Sequence, residues 1–155
     1  MSNIFNSSIK YARMAVIILA VSLFSSVFVS CGDDDEDEGF TTEVSLFTET
    51  LGRYGVNLSK ITGDFICFSI PSKSDGKDID LSKKGDWDVM GSVDGEHIDG
   101  HGDEPDNMFE SGSTLYIHKT GAKTYEIKYT LKKNINGKLK VIKGSYSGSM
   151  ITGVN

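Results

Sequence analysis

The strictest alternation of apolar and polar positions lies in the C-terminal third of the chain. From Lys123 to Leu131, Tyr125, Ile127, Tyr129 and Leu131 share one parity, and Thr124, Glu126, Lys128 and Thr130 the other. A period of two puts these sets on opposite faces of a strand. Ser113 to His118 alternates likewise, with Leu115 and Ile117 on one face, and Lys119-Thr120-Gly121-Ala122 supplies a turn between the two runs. Asn136-Gly137 then marks a tight hairpin, because the mirror-image turn it favours needs positive φ. A third strand follows from Lys138 to about Met150, which completes a three-stranded antiparallel meander. Its phase changes part-way: Leu139 and Val141 share one parity, whereas Ile142, Tyr146 and Met150 share the other. A β-bulge near Val141-Ile142 is expected to reconcile them, since one extra residue flips the facing. Gly144 and Gly148 fall on the Tyr146 parity, where a missing side chain lets a neighbour pack close.

The N-terminal half is less regular. Asp64 to Ile70 reads as a strand ended by Pro71, Asp78 to Leu81 as a short one, and Trp87 to Val93 as another. Glu43 to Leu51 has helical spacing at Val44, Phe47 and Leu51, but its threonines favour a strand. No repeat, heptad or long amphipathic helix interrupts the pattern. The expected fold is all-β: a single antiparallel β-sandwich or small β-barrel of about seven to eight strands over residues 41–155, long enough for one core.

Ahead of this domain the pattern changes character. Lys10 and Arg13 precede an apolar run from Met14 to Val29, which is interrupted by Ser22, Ser25 and Ser26. Its sixteen residues fall short of the roughly 20 that a membrane-spanning helix needs. A cationic start, a short apolar segment and small residues at its end predict a secretory leader over 1–30. Cys31 and Gly32 follow, and then six consecutive carboxylates: Asp33, Asp34, Asp35, Glu36, Asp37 and Glu38. Such a block of like charge resists folding, so 31–40 reads as a solvated tether.

The segment Phe28-Val29-Ser30-Cys31 resembles a bacterial lipobox. Ser30 supplies the small residue before the cysteine, and Phe28 stands where a leucine-like residue is usual. The resemblance implies cleavage after Ser30, a diacylglyceryl group on the Cys31 thiol and a further acyl chain, such as palmitate, on the new amine. Two or three chains on one residue make detachment negligible, at about 0.8 kcal/mol per buried methylene. A lipidated cysteine followed by an acidic cluster is also similar to the export signal of surface lipoproteins in Bacteroidetes-type bacteria. That likeness implies attachment to the outer membrane, facing the cell exterior. Ser111-Gly112, Tyr125-Glu126-Ile127 and Gly144-Ser145-Tyr146-Ser147-Gly148 resemble the closing strands of small β-rich lipoproteins of that group, which share architecture and no common activity.

Charge narrows the partners. The chain carries 16 basic and 22 acidic residues, and loss of Lys10 and Arg13 with the leader leaves 14 basic. Six of the acids belong to the tether, so the domain itself is near neutral. No basic patch stands out to neutralise phosphates, which argues against nucleic acid. With Cys31 committed to lipid, Cys67 has no partner in the chain and reads as a buried, inert thiol.

One segment has the composition of a chemical site. Residues 94–104 hold Asp94, Glu96, His97, Asp99, His101, Asp103 and Glu104 among glycines, donors of the kind that hold Ca²⁺ or Zn²⁺. Their spacing fits neither an EF-hand nor a zinc-protease helix, so the expectation is a mobile acidic surface loop with no metal or other cofactor. His118 should face solvent, opposite Leu115 and Ile117. No nucleophile elbow, phosphate loop or cysteine–histidine context appears, and no catalytic residue is assigned.

The expected function is therefore that of a membrane-anchored, non-catalytic binding module for a glycan, a protein or another envelope component. Trp87, Tyr54 and Tyr116 are the candidates for an exposed aromatic platform, although sheet packing would also use them. An accessory subunit of an outer-membrane complex is the alternative, and a metal-dependent enzyme built on 94–104 the third reading.

Overall fold

Residues 40–153 of the chain are described by the computed structural model. Cys31, the lipobox-like segment and the acidic run lie outside the described residues. Strand β8 (Thr124–Ile135) shows the clearest link between sequence and packing, with Tyr125, Ile127, Tyr129 and Leu131 buried and the alternate positions turned to solvent. It pairs antiparallel with β7 (Thr114–Lys119) on one side and β9 (Lys138–Ser149) on the other. Asn136 and Gly137 take φ of 52° and 79°, the paired positive values that the Asn-Gly hairpin requires.

The expected bulge in β9 is absent. Register between β8 and β9 is unbroken from Thr124↔Ser149 to Ile135↔Lys138, so no residue is skipped. Instead the parity of Leu139 and Val141 faces outward, leaving them 53% and 44% exposed. The turn fixes one end of the register, and Gly144 holds it further along. Gly144 lies opposite Tyr129 and Gly148 opposite Tyr125. A methyl group at Gly144 would collide with the Tyr129 phenol, so the ring occupies the space that glycine vacates. A slip at Val141 would move those tyrosines off their glycines.

The remaining strands are β1 (Val44–Thr50), β2 (Arg53–Ser59), β3 (Phe65–Pro71), β4 (Asp78–Asp80), β5 (Asp88–Val93), β6 (Glu96–His101) and β10 (Ile151–Thr152). They form a sandwich-like arrangement of two sheets, ordered β10-β1-β2-β3-β5-β6 and β4-β7-β8-β9. The fold is all-β, as expected, with the C-terminal meander as the body of the smaller sheet. Phe47 stacks on Tyr125 at 4.0 Å between ring centroids and Phe68 meets Tyr129 at 5.0 Å, so aromatic pairs join the sheets.

Three strands had no clear signature in sequence. β2 alternates Tyr54, Val56 and Leu58 inward with Arg53, Gly55 and Asn57 outward, and those strand-poor residues mask the pattern. β6 replaces the expected mobile loop. Asp94-Gly95 is a two-residue turn with φ of 55° and 76°, and the chain returns as a strand paired to β5 through Val93↔Glu96 to Asp88↔His101. β10 is a two-residue parallel addition to β1. Leu51, grouped by spacing with Val44 and Phe47, is instead a 94% exposed turn residue with φ of 53°.

Two chain crossings close one side of the sandwich. Phe40 is buried, and its N–H donates to the Lys143 carbonyl of β9 at 2.8 Å before the chain passes into β1. At the other terminus, buried Met150 carries the chain from β9 to β10. The end of the expected tether is thus already part of the fold.

Candidate functional site

The chemistry-bearing side chains gather on the outward face of the six-stranded sheet, away from the core. Pairing of β2, β3, β5 and β6 places Gly55, Ser69, Asp88 and His101 in one cross-strand row. Arg53 reaches into that row from two positions away. Its Nε donates to Ser69 Oγ at 3.0 Å, and Nη2 donates to Asp88 Oδ2 at 3.2 Å and to the Ser69 carbonyl at 3.3 Å. Nη1 bonds the Asp86 carboxylate. The other Asp88 oxygen, Oδ1, lies 3.0 Å from His101 Nδ1.

Asp88 is the buried charge that this cluster exists to satisfy. Buried carboxylates persist when paired and hydrogen-bonded, and here a guanidinium and an imidazole share the work. The imidazole responds in turn. The hydrogen bond to Asp88 raises the His101 pKa above the ordinary histidine value. Burial opposes that shift, while the charges of Asp88, Glu104 and Asp99 add to it. Ser69 is held by the guanidinium and not by the imidazole, so the row contains no paired nucleophile and base. What it offers is a charged, hydrogen-bonded brace between β2, β3, β5 and β6.

Spacing misled the reading of residues 94–104. On β6, His97, Asp99 and His101 share the outward face, because a strand also aligns positions four apart. His97 Nε2 is 3.7 Å from Asp99 Oδ1, Asp99 accepts from Asn107 Nδ2 at 2.7 Å, and His101 is committed to Asp88. Among the described residues, no three His, Cys, Asp or Glu side chains converge to hold a metal ion.

The aromatic candidates separate. Tyr54 lies in the core beside Phe47, with ring centroids 4.9 Å apart, and burial raises its pKa. Trp87 is also in the core, against Phe109, and its Nε1 donates to the Lys83 carbonyl at 3.1 Å. Neither can serve as an exposed platform. Only Tyr116 stays at the surface, half-buried on the outward face of the four-stranded sheet. Pairing sets it between Asp78 and Lys128, with Ser145 beyond. The Lys128 ammonium sits 5.8 Å from the ring centroid and His118 6.2 Å from it, ring to ring.

His118 is on the solvent side as expected, with Nδ1 3.1 Å from Asp75 Oδ2. Cys67 is fully buried, accepts from Asn57 Nδ2 at 3.2 Å, and has its thiol pushed up to about 12 by burial. It faces outward from the large sheet, not into the core cluster. Arg53 and Asp88 escaped the sequence reading. The available signal was that Arg53 is the only arginine among residues 40–153.

No protein family, characterised protein or solved structure matches this chain. Among the described residues, no helix is long and apolar enough to cross a membrane.

Proposed function

We propose that this chain is a lipid-anchored cell-surface module that binds a glycan on the outward face of its four-stranded sheet. The observation that carries the reading is the placement of Tyr116. An aromatic ring offers an apolar face to a sugar, and this one is ringed by polar groups that can donate and accept. Asp78, Lys128 and Ser145 share its row, while Thr114 and Thr130 lie on one flanking row and Glu126 and Ser147 on the other. Charges of both signs are present, which suits an uncharged, hydroxyl-rich ligand better than a strongly charged one.

Anchoring comes from the lipobox-like segment ending at Cys31, and the acidic run that follows it ends at Glu38, two residues before the buried Phe40. The test of ligand class is pull-down of the tagged protein from its native envelope, repeated with Tyr116→Ala. Glycan recovered by the parent and lost by the variant supports the reading. Recovery of a protein partner that Tyr116→Ala leaves intact would move it to the accessory-subunit alternative. Protease treatment of intact cells tests display: a domain digested only after lysis is not on the cell surface.

A further inference from the structure

Lys133 is an inward-facing lysine. It shares the parity of Tyr129 and Leu131 on β8, and the partly buried Ile135 follows it on the same face. Its side chain reaches the 3₁₀ turn Pro105–Asn107 that comes after β6. There Nζ donates to Asn107 Oδ1 at 2.7 Å and to the Met108 carbonyl at 3.3 Å, with the Phe109 ring centroid 5.3 Å away. At the other end of the same carboxamide, Asn107 Nδ2 donates to Asp99 Oδ2 at 2.7 Å. The two partners fix the orientation of the amide, since an ammonium cannot accept and a carboxylate cannot donate. An amine, a carboxamide and a carboxylate thus form one chain of contacts, from β8 of the smaller sheet to β6 of the larger. Burial lowers the Lys133 pKa against the opposing charges of Asp99 and Glu110, which enlarges the fraction present as the neutral, nucleophilic amine.

We propose that Lys133 and Asn107 join in an intramolecular amide bond, with Asp99 as the proton carrier. A neutral amine keeps both hydrogen bonds of Nζ, having two N–H groups, and has a lone pair besides. Oδ1 is bonded to Cγ, so a small rotation of the lysine stem brings that lone pair onto the carbon. The Nζ–Cγ bond forms, and the carbonyl electron pair moves to Oδ1. Asp99 takes the surplus proton from Nζ and gives it to Nδ2. The carbonyl then re-forms, the Cγ–Nδ2 bond breaks and ammonia leaves. Amine and carboxamide become a secondary amide and ammonia, Asp99 returns to its carboxylate, and no oxidant is consumed. Cys67 is the one cysteine among the described residues, so no disulfide staples them. The amide closes a loop across the 26 positions from Asn107 to Lys133 and restricts the unfolded chain as a disulfide does. The inference is independent of what the Tyr116 face binds.

The test is a peptide map of the protein purified from its native envelope, denatured and digested with trypsin. Trypsin needs a free lysine side chain, so joining blocks cleavage after Lys133. Expected is one branched peptide, residues 85–119 linked to residues 133–138, lighter than its two parts by one ammonia. Fragmentation should place the link between Lys133 and Asn107. Lys133→Arg keeps the positive charge and should abolish the branched peptide. Asp99→Asn should slow its appearance in newly made protein on the order of a hundredfold. Circular dichroism checks that both variants keep their strands, and the parent's own map decides the matter if either fails to fold. Cleavage after Lys133 in the parent, with separate peptides of unaltered mass, overturns the proposal and leaves a hydrogen-bonded chain alone. A link from Lys133 to any other residue overturns it too, and an Asp99→Asn variant that joins as fast as the parent overturns the part given to Asp99.

Discussion

Replacing Asp88 by asparagine tests the charged row across the large sheet. The carboxylate holds two charge-assisted hydrogen bonds, to Arg53 Nη2 at 3.2 Å and to His101 Nδ1 at 3.0 Å. Such bonds contribute about 1.5–3 kcal/mol each. An amide keeps one accepting oxygen, and Arg53 keeps Asp86 and Ser69, so the expected loss is about 2 kcal/mol near pH 5. With a urea slope of roughly 1.5 kcal/mol per molar, the unfolding midpoint falls by about 1.3 M.

The loss should depend on pH, and its direction follows from His101. The folded-state pKa is raised, chiefly by Asp88. The stabilisation from this pair is therefore complete below the unfolded value of about 6.5 and disappears as pH rises through the folded value. Asp88→Asn should cost most at pH 5 and less at pH 8, where a neutral imidazole can accept from the new amide. Urea titrations from pH 5 to 8, with the His101 pKa followed by NMR, provide the readout. A penalty that is flat across this range, or a His101 pKa that does not fall in the variant, refutes the reasoning.

Three further outcomes follow from the packing. Gly144→Ala drives a methyl group into the Tyr129 phenol and should destabilise the fold by about 1–3 kcal/mol, measured by urea unfolding. Leu51→Asn relieves a positive φ of 53° in the two-residue turn before Gly52, and should raise stability by about 0.5–1 kcal/mol in the same assay. In a Cys31→Ser background, Cys67 should resist thiol reagents at pH 8 and react only as fast as the domain opens, because its pKa is raised to about 12 and it is fully buried; rapid labelling of the native protein would contradict that burial.

The legible parts of the chain were those whose pattern is local. In β7 and β8 one face is packed and the other solvated, so a period of two writes the strand directly into the sequence, and Asn136-Gly137 names its own turn. β2 was illegible because its outward positions hold Gly55 and Asn57, and the Asp94-Gly95 turn was hidden by the acidic, glycine-rich residues around it.

The sequence by itself determined an all-β chain ending in a meander, because alternation, turn residues and glycine gaps act over a few neighbours. Only the tertiary structure decided which charges meet. Arg53 and Asp88 are 35 residues apart and Asp88 and His101 are 13 apart, and what unites them is the lateral order of β2, β3, β5 and β6. It also decided that Tyr54 and Trp87 lie inside while Tyr116 stays at the surface. An aromatic side chain is compatible with either place, and the choice belongs to whichever sheet packs against it.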